Sequence, residues 1–112
     1  MYDYNWSPSE KKIARRAYDA ALGVALAKAL AEFKAKAAQV TTPSDMWDLE
    51  DYLRQKRRHI DTIFDYRYSQ LPFVFGVLIR EGHLDEASLA GLSEDKLQEV
   101  RRLLDSWEGR SP

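Results

Sequence analysis

The stretch Asp45-Met46-Trp47-Asp48-Leu49-Glu50-Asp51-Tyr52-Leu53-Arg54-Gln55-Lys56-Arg57-Arg58-His59-Ile60-Asp61 lies inside a longer segment, Pro43 to Tyr68, that reads as one helix. Thr42 suits the N-cap, Pro43 the first helical position, and Asp45 the positive end of the helix dipole. Met46, Leu49, Leu53, Ile60 and Ile63 follow heptad spacing, with Lys56 and Arg67 interrupting the seam. A second stripe carries Trp47, Glu50, Asp51, Arg54, Arg57, Arg58 and Asp61. A tryptophan among charges of both signs suits a surface met by a partner better than a buried face. Met46, Trp47, Leu49, Leu53 and Ile60 are the candidate dimer seam; Trp47 fits either role.

Upstream, Ser7-Pro8-Ser9-Glu10 is a helix start: serine caps, proline takes the first position and Glu10 completes a capping box. From there to about Gln39 there is no proline, Gly23 is the only glycine, and eleven alanines lie between Ala14 and Ala38. A helix of about 30 residues is about 45 Å long, whereas a compact domain of this size has a radius of gyration of about 13 Å. Its apolar positions therefore outrun any head the remaining chain can build. A second copy of the chain is the natural cover, and a homodimer with a stalk of long helices is the expected assembly; a single exposed hairpin is the alternative. Residues 1–6 read as a loose arm, with Trp6 placed to staple the first helix.

Thr41 to Ser44 forms the turn between the long helices, and Tyr66 to Pro72 the next joint. Phe73 to Glu81 is apolar nearly all round, a short buried helix ended by Gly82. A further short helix runs from Leu84 or Asp85 to Ala90, closed by Gly91. Ser93 caps the last helix, whose inward stripe is Leu97, Val100, Leu104 and Trp107, with Gly109 as its stop. The aromatics of the second joint (Phe64, Tyr66, Tyr68, Phe73, Phe75) read as head core. The expected fold is all-α: an arm at 1–6, a long-helix dimerisation stalk at 7–70, a helical head at 71–109 and a tail at 110–112.

Composition narrows the function. A formal charge of -1 gives no bulk electrostatic case for nucleic acid or an anionic membrane. The basic run Arg54 to His59 is flanked by acids that pair with it at helical spacing, Asp51 with Arg54 and Arg57 with Asp61. With no cysteine, disulfides and thiolate chemistry are excluded. The apolar run Leu71 to Ile79 is too short to span a bilayer, and Met1-Tyr2-Asp3-Tyr4-Asn5-Trp6 lacks a signal-peptide layout, so the cytoplasm is the expected compartment. His59 and His83 show no metal-ligand spacing and read as surface residues. No phosphate loop or nucleophile elbow is present, and neither cofactor nor metal is expected.

The pattern Asp45-x-Trp47-x-Leu49-x-Asp51-x-Leu53-x-x-Lys56-Arg57-x-x-Ile60-Asp61, followed by Tyr66 with Arg67 beside it, Phe73-Val74-Phe75, Leu78 and Glu81-Gly82, resembles the fluorescence recovery protein family of cyanobacteria. Weaker matches reach from Trp6-Ser7 and Arg16-Ala17-Tyr18 to Leu103-Leu104. The resemblance implies an all-helical homodimer without pigment or covalent chemistry. Such a protein binds the C-terminal domain of photoactivated orange carotenoid protein, speeds its return from the red to the orange form, and ends phycobilisome quenching. It places the family's functional tryptophan, aspartate and arginine on Trp47, Asp51 and Arg57, and a head phenylalanine on Phe73. With Glu50 and Arg54 these make the candidate partner surface. Two positions depart from the pattern: Glu50 stands where it has histidine, and Glu99 where it has lysine. A family-like dimer serving a different protein partner is the second reading.

Overall fold

The computed structural model describes residues 4–108, and among these every regular element is helical. The order is α1 (Pro8–Ala37), α2 (Pro43–Ile63), α3 (Leu71–Arg80), a 3-10 turn (Glu86–Leu89) and α4 (Glu94–Glu108). Both long helices begin with a complete capping box, Ser7 with Glu10 and Thr42 with Asp45, each followed by proline in the first turn. The outline measures 53 × 37 × 25 Å, with a radius of gyration of 16.9 Å. That exceeds the roughly 13 Å of a compact domain of this length, because the α1–α2 hairpin projects from the head. No helix among the described residues is long and apolar enough to cross a membrane.

Alanine spacing decides where the head sits. Ala14, Ala17, Ala21 and Ala25 recur at three and four residues, lie on one face of α1 and are buried. Their small side chains let the head approach the helix backbone closely. Leu71, Val74, Phe75 and Leu78 of α3 join this face in the core with Leu84, Leu89, Leu92 and Val100. Beyond Ala25 the cover ends: Leu26 and Leu30 are exposed. The contacts with α2 include a polar group around Glu32. Tyr52 donates to Glu32, Lys56 lies 3.9 Å from the same carboxylate, and the Lys36 ammonium stacks 4.7 Å from the Tyr52 ring. The hydrogen bond to Glu32 adds to desolvation in pushing the Tyr52 phenol up to about 12.

Four local expectations change. First, α2 ends at Ile63, short of Tyr68. Phe64 leaves helical geometry (φ -97°, ψ 83°) because Phe64 and Tyr66 both turn onto Tyr18 of α1, at edge-on centroid distances of 5.3 and 4.8 Å. The Arg15 guanidinium covers Tyr66 from 3.7 Å. Second, α3 begins at Leu71, with Pro72 accommodated in its first turn, where the missing N–H costs nothing. Third, the segment before Gly91 is a single 3-10 turn, capped by Asp85 accepting from Ala87 N at 3.1 Å. Fourth, Asn5 and Trp6 are not a loose arm. Asn5 O accepts from Lys96 Nζ at 2.5 Å, and Trp6 Nε1 donates to Tyr68 O at 3.2 Å. Residues 1–3, Gly109 and the tail lie outside the described residues.

Lys96 is the hub of that arrangement. It is almost wholly buried, yet its ammonium donates to Glu10 Oε2 (3.0 Å), Ser93 Oγ (2.9 Å) and Asn5 O, below the Trp6 ring. Glu10 also accepts from Ser7 N at 3.0 Å and from Ser93 N at 2.8 Å, so one carboxylate caps α1 and anchors the entry to α4. The Ser93 hydroxyl itself donates to Asp95. Burial pushes the Glu10 carboxyl up, but these donors outweigh it and hold the pKa at about 2. A carboxyl depressed from 4.5 to about 2 contributes stability that is present above pH 4.5 and is lost as pH falls towards 2. At 1.36 kcal/mol per unit this is about 3 kcal/mol. Glu10→Gln should therefore lower urea-measured stability at neutral pH by about 3 kcal/mol, leaving Lys96 buried without its counter-charge. It should also flatten the acid limb of the stability profile. An unchanged acid limb in the variant would mean that another carboxylate carries it.

Candidate partner-binding surface

None of the α2 residues is buried within the chain. Trp47 is 60% exposed, Met46 48% and Leu53 46%, while Leu49 and Ile60 are half-buried. The heptad residues and the tryptophan stripe are thus both left open. Around the helix, Trp47, Asp51, Arg54 and Arg58 follow one another at four, three and four residues and share one face.

Charge pairing along this face differs from the spacing expected. Arg54 turns to Glu50, at 3.5 Å, instead of Asp51. An acid four residues N-terminal to its cation is the favoured orientation on a helix, and the longer glutamate reaches it. Arg57 does lie near Asp61, at 4.0 Å, with both side chains largely in solvent. Exposed pairs of this kind contribute little to stability. Their effect is to neutralise charge, and Glu50 is compensated by Arg54 in this way. Glu99 is likewise compensated by Arg102, whose guanidinium donates two bonds of 2.7 and 2.9 Å and lowers its pKa. Asp51 has no ion-pair partner among the described residues.

The head contributes Phe73. It stands 48% exposed on α3 while its neighbours Pro72, Val74 and Phe75 are buried. Trp107 of α4 meets it edge-on at 6.1 Å, and the Arg80 guanidinium lies 5.1 Å from the Trp107 ring centre. Gly76 admits that indole; a Cβ there would stand 3.5 Å from it. Of the other joint aromatics, Phe64, Tyr66 and Phe75 belong to the core or pack against it, whereas Tyr68, expected in the core, is exposed and packs against Trp6 and Tyr66.

Sequence reasoning missed one cluster. His59 of α2 and His83, just after α3, both reach the Glu81 carboxylate. His59 Nε2 is 2.9 Å from each oxygen, and His83 Nε2 is 3.5 Å from Oε1. The three residues are not isolated surface groups, but the 22 positions between His59 and Glu81 hide this in the sequence. Lys96 was missed for the same reason: its partner is 86 positions away.

Fold and surface define an all-helical protein that presents an exposed tryptophan–arginine face on a projecting hairpin and, on its head, an exposed phenylalanine packed against a half-buried tryptophan. Residues 6–104 match the family model of the photoprotection regulator fluorescence recovery protein. The chain is 36% identical over 98 residues to the fluorescence recovery protein of Synechocystis sp. (strain ATCC 27184 / PCC 6803 / Kazusa), covering 88% of this chain and 90% of that protein. The solved structures of the Fremyella diplosiphon and Synechocystis sp PCC 6803 fluorescence recovery proteins each superpose with a TM-score of 0.83 at 35% identity, over 88% of this chain and 97% of theirs. The chain belongs to the fluorescence recovery protein family, whose members are regulators of photoprotection.

The exposure of Arg57 makes a stability prediction. Arg57→Leu should change the urea-measured stability of the chain by no more than about 0.5 kcal/mol. A loss above about 1 kcal/mol would place the side chain under a stabilising cover rather than at a free surface.

Proposed function

We propose that this chain is a non-enzymatic regulatory binding protein acting on photoactivated orange carotenoid protein. It accelerates the return of the red form to the resting orange form and so ends phycobilisome fluorescence quenching. The observation that carries the reading is the exposure of Trp47, Asp51 and Arg57 on α2, in a chain matched to the family over residues 6–104. Glu50, Arg54 and, on the head, Phe73 complete the contact surface. The physical action is differential affinity: the protein binds the compact partner state, or the path to it, more tightly than the open state. No cofactor or metal takes part, and the site of action is the cytoplasm.

The working form is a homodimer. A second copy covers Met46, Leu49, Leu53 and Ile60 on α2, with Trp47 at the margin between this seam and the partner face. Support comes from the absence of any buried α2 residue and from exposed Val24, Leu26 and Leu30 on α1. Met46→Glu puts an unpaired charge into that seam, at a cost of several kcal/mol. It should convert a dimeric mass in light scattering to a monomeric one; an unchanged mass would show that the seam lies elsewhere.

A second reading is favoured by Glu50 and Glu99: a family-like dimeric adaptor acting on a different protein partner. One optical experiment separates the two. Purified orange carotenoid protein is converted to its red form by light, and its dark recovery is followed with and without this chain. Acceleration at substoichiometric amounts is expected, reduced about tenfold by Trp47→Ala or Arg57→Leu, the loss typical of one hot-spot side chain. No acceleration by a folded dimer would reject the first reading in favour of the second.

A further inference from the structure

The head meets the hairpin at a polar joint that the fold does not require. A cavity of about 310 Å³ there is lined by Lys28 and Glu32 of α1, Lys56 and His59 of α2, and Glu81 and His83 at the end of α3. Glu81 is the C-cap of α3, and Gly82 follows it with φ +82° to turn the chain back. The turn is held from both sides. His83 N donates to Leu78 O at 2.9 Å, and Lys28 Nζ reaches across to Gly82 O at 2.7 Å. His59 Nε2, 2.9 Å from both Glu81 oxygens, ties the same turn to α2. Among the described residues no three His, Cys, Asp or Glu side chains are arranged to hold a metal ion.

The two imidazoles differ in a way that matters. His59 is about half exposed, so water reaches the ring nitrogen that does not face Glu81. His83 is only 13% exposed, and its Nδ1 is buried without any hydrogen-bond partner. With Nε2–H directed at Glu81, the neutral ring leaves Nδ1 as a bare lone pair, which is tolerable. The protonated ring carries a buried N–H with no acceptor, beside the Lys28 ammonium.

We propose that this joint is an acid-sensitive latch: neutral His83 keeps the Glu81–His83 turn closed against α1 and α2, and the proton it takes up on acidification releases that turn from the two helices. The charge balance gives the same sign. Desolvation, with Lys28 and Lys56 adding to it and Glu81 opposing, holds the His83 pKa below 6.5. A histidine depressed in the folded state stabilises that state above its unfolded value, and the contribution is lost as pH falls through the folded one. On the reading given above, this turn ties the head that carries Phe73 to α2, which carries Trp47, Asp51 and Arg57, so its release loosens the link between the two parts of the partner surface.

The test is hydrogen exchange on the full chain with chelator present, at about pH 7.5 and about pH 5.5, corrected for the intrinsic pH dependence of exchange. In the wild type, the amides of Glu81, Gly82 and His83 should lose about fivefold or more of their protection at the lower pH. His59→Gln should keep that loss, and His83→Gln, which cannot titrate, should abolish it. NMR of the imidazole rings supplies a check that needs no variant: the change should follow the titration of His83. Unchanged protection in the wild type, a transition that tracks His59, or a loss surviving in His83→Gln would overturn the latch. No partner is present, so the result stands apart from the fate of the proposed function.

Discussion

A helix of 30 residues cannot be covered by a head of about 40, and the architecture follows from that mismatch. The alanine face of α1 is used only as far as Ala25, where the head core ends. Past that point the helix must be supported by something other than the head. Within the chain, α2 supplies the support, with Tyr52, Lys56 and Lys36 gathered around Glu32 and with Ala29, Phe33, Leu49 and Ile60 half-buried. Polar hairpin contacts are directional and fix the register of α2 on α1. They do little to remove apolar area from water, which is the main source of folding free energy. The exposed Leu26, Leu30, Met46 and Leu53 are the remainder.

The head is held by a different kind of contact. Glu10 and Lys96 form a buried ion pair, and such a pair seldom adds net stability over a well-packed apolar alternative. What it does here is geometric. A single carboxylate receives Ser7 N, Ser93 N and the Lys96 ammonium, so the starts of α1 and α4 must coincide in space. The ammonium in turn fixes the chain before α1 through Asn5 O, and Trp6 is placed to hold the linker at Tyr68. The aromatic series Trp6, Tyr68, Tyr66 and Tyr18 then continues along α1 and explains why α2 stops at Ile63. One pair thus orders both the head and the joint.

Much of this was legible in the sequence because it is local. The capping boxes at Ser7 and Thr42, the prolines after them, the alanine spacing and the apolar run of α3 are read within a few residues. The open stripe of Trp47, Asp51, Arg54 and Arg58 was legible too, since helical periodicity alone puts these side chains on one side. The end of α2 was not, because Tyr18, some 46 positions earlier, outbids the local helix pattern at Phe64. Asp51 and Arg54 were paired on spacing, but Glu50 offers the longer reach and the better orientation. Lys96 and the histidines around Glu81 give no sequence signal at all: their neighbours are set by topology.

The charge departures at Glu50 and Glu99 acquire a physical meaning from their partners. An added carboxylate on an exposed surface would deter an acidic partner and attract a basic one. Each, however, sits beside an arginine, Arg54 and Arg102, that returns most of the charge locally. The long-range field of the surface is therefore changed less than the substitutions suggest. What differs at short range is the donor pattern. Arg54 is partly engaged by Glu50, while Asp51 remains the acceptor without an ion-pair partner on that face. A partner docking here meets a free carboxylate flanked by an indole and by guanidinium groups already half-satisfied. If this face binds a partner as proposed, discrimination rests on geometry at Asp51 and Trp47 rather than on net charge.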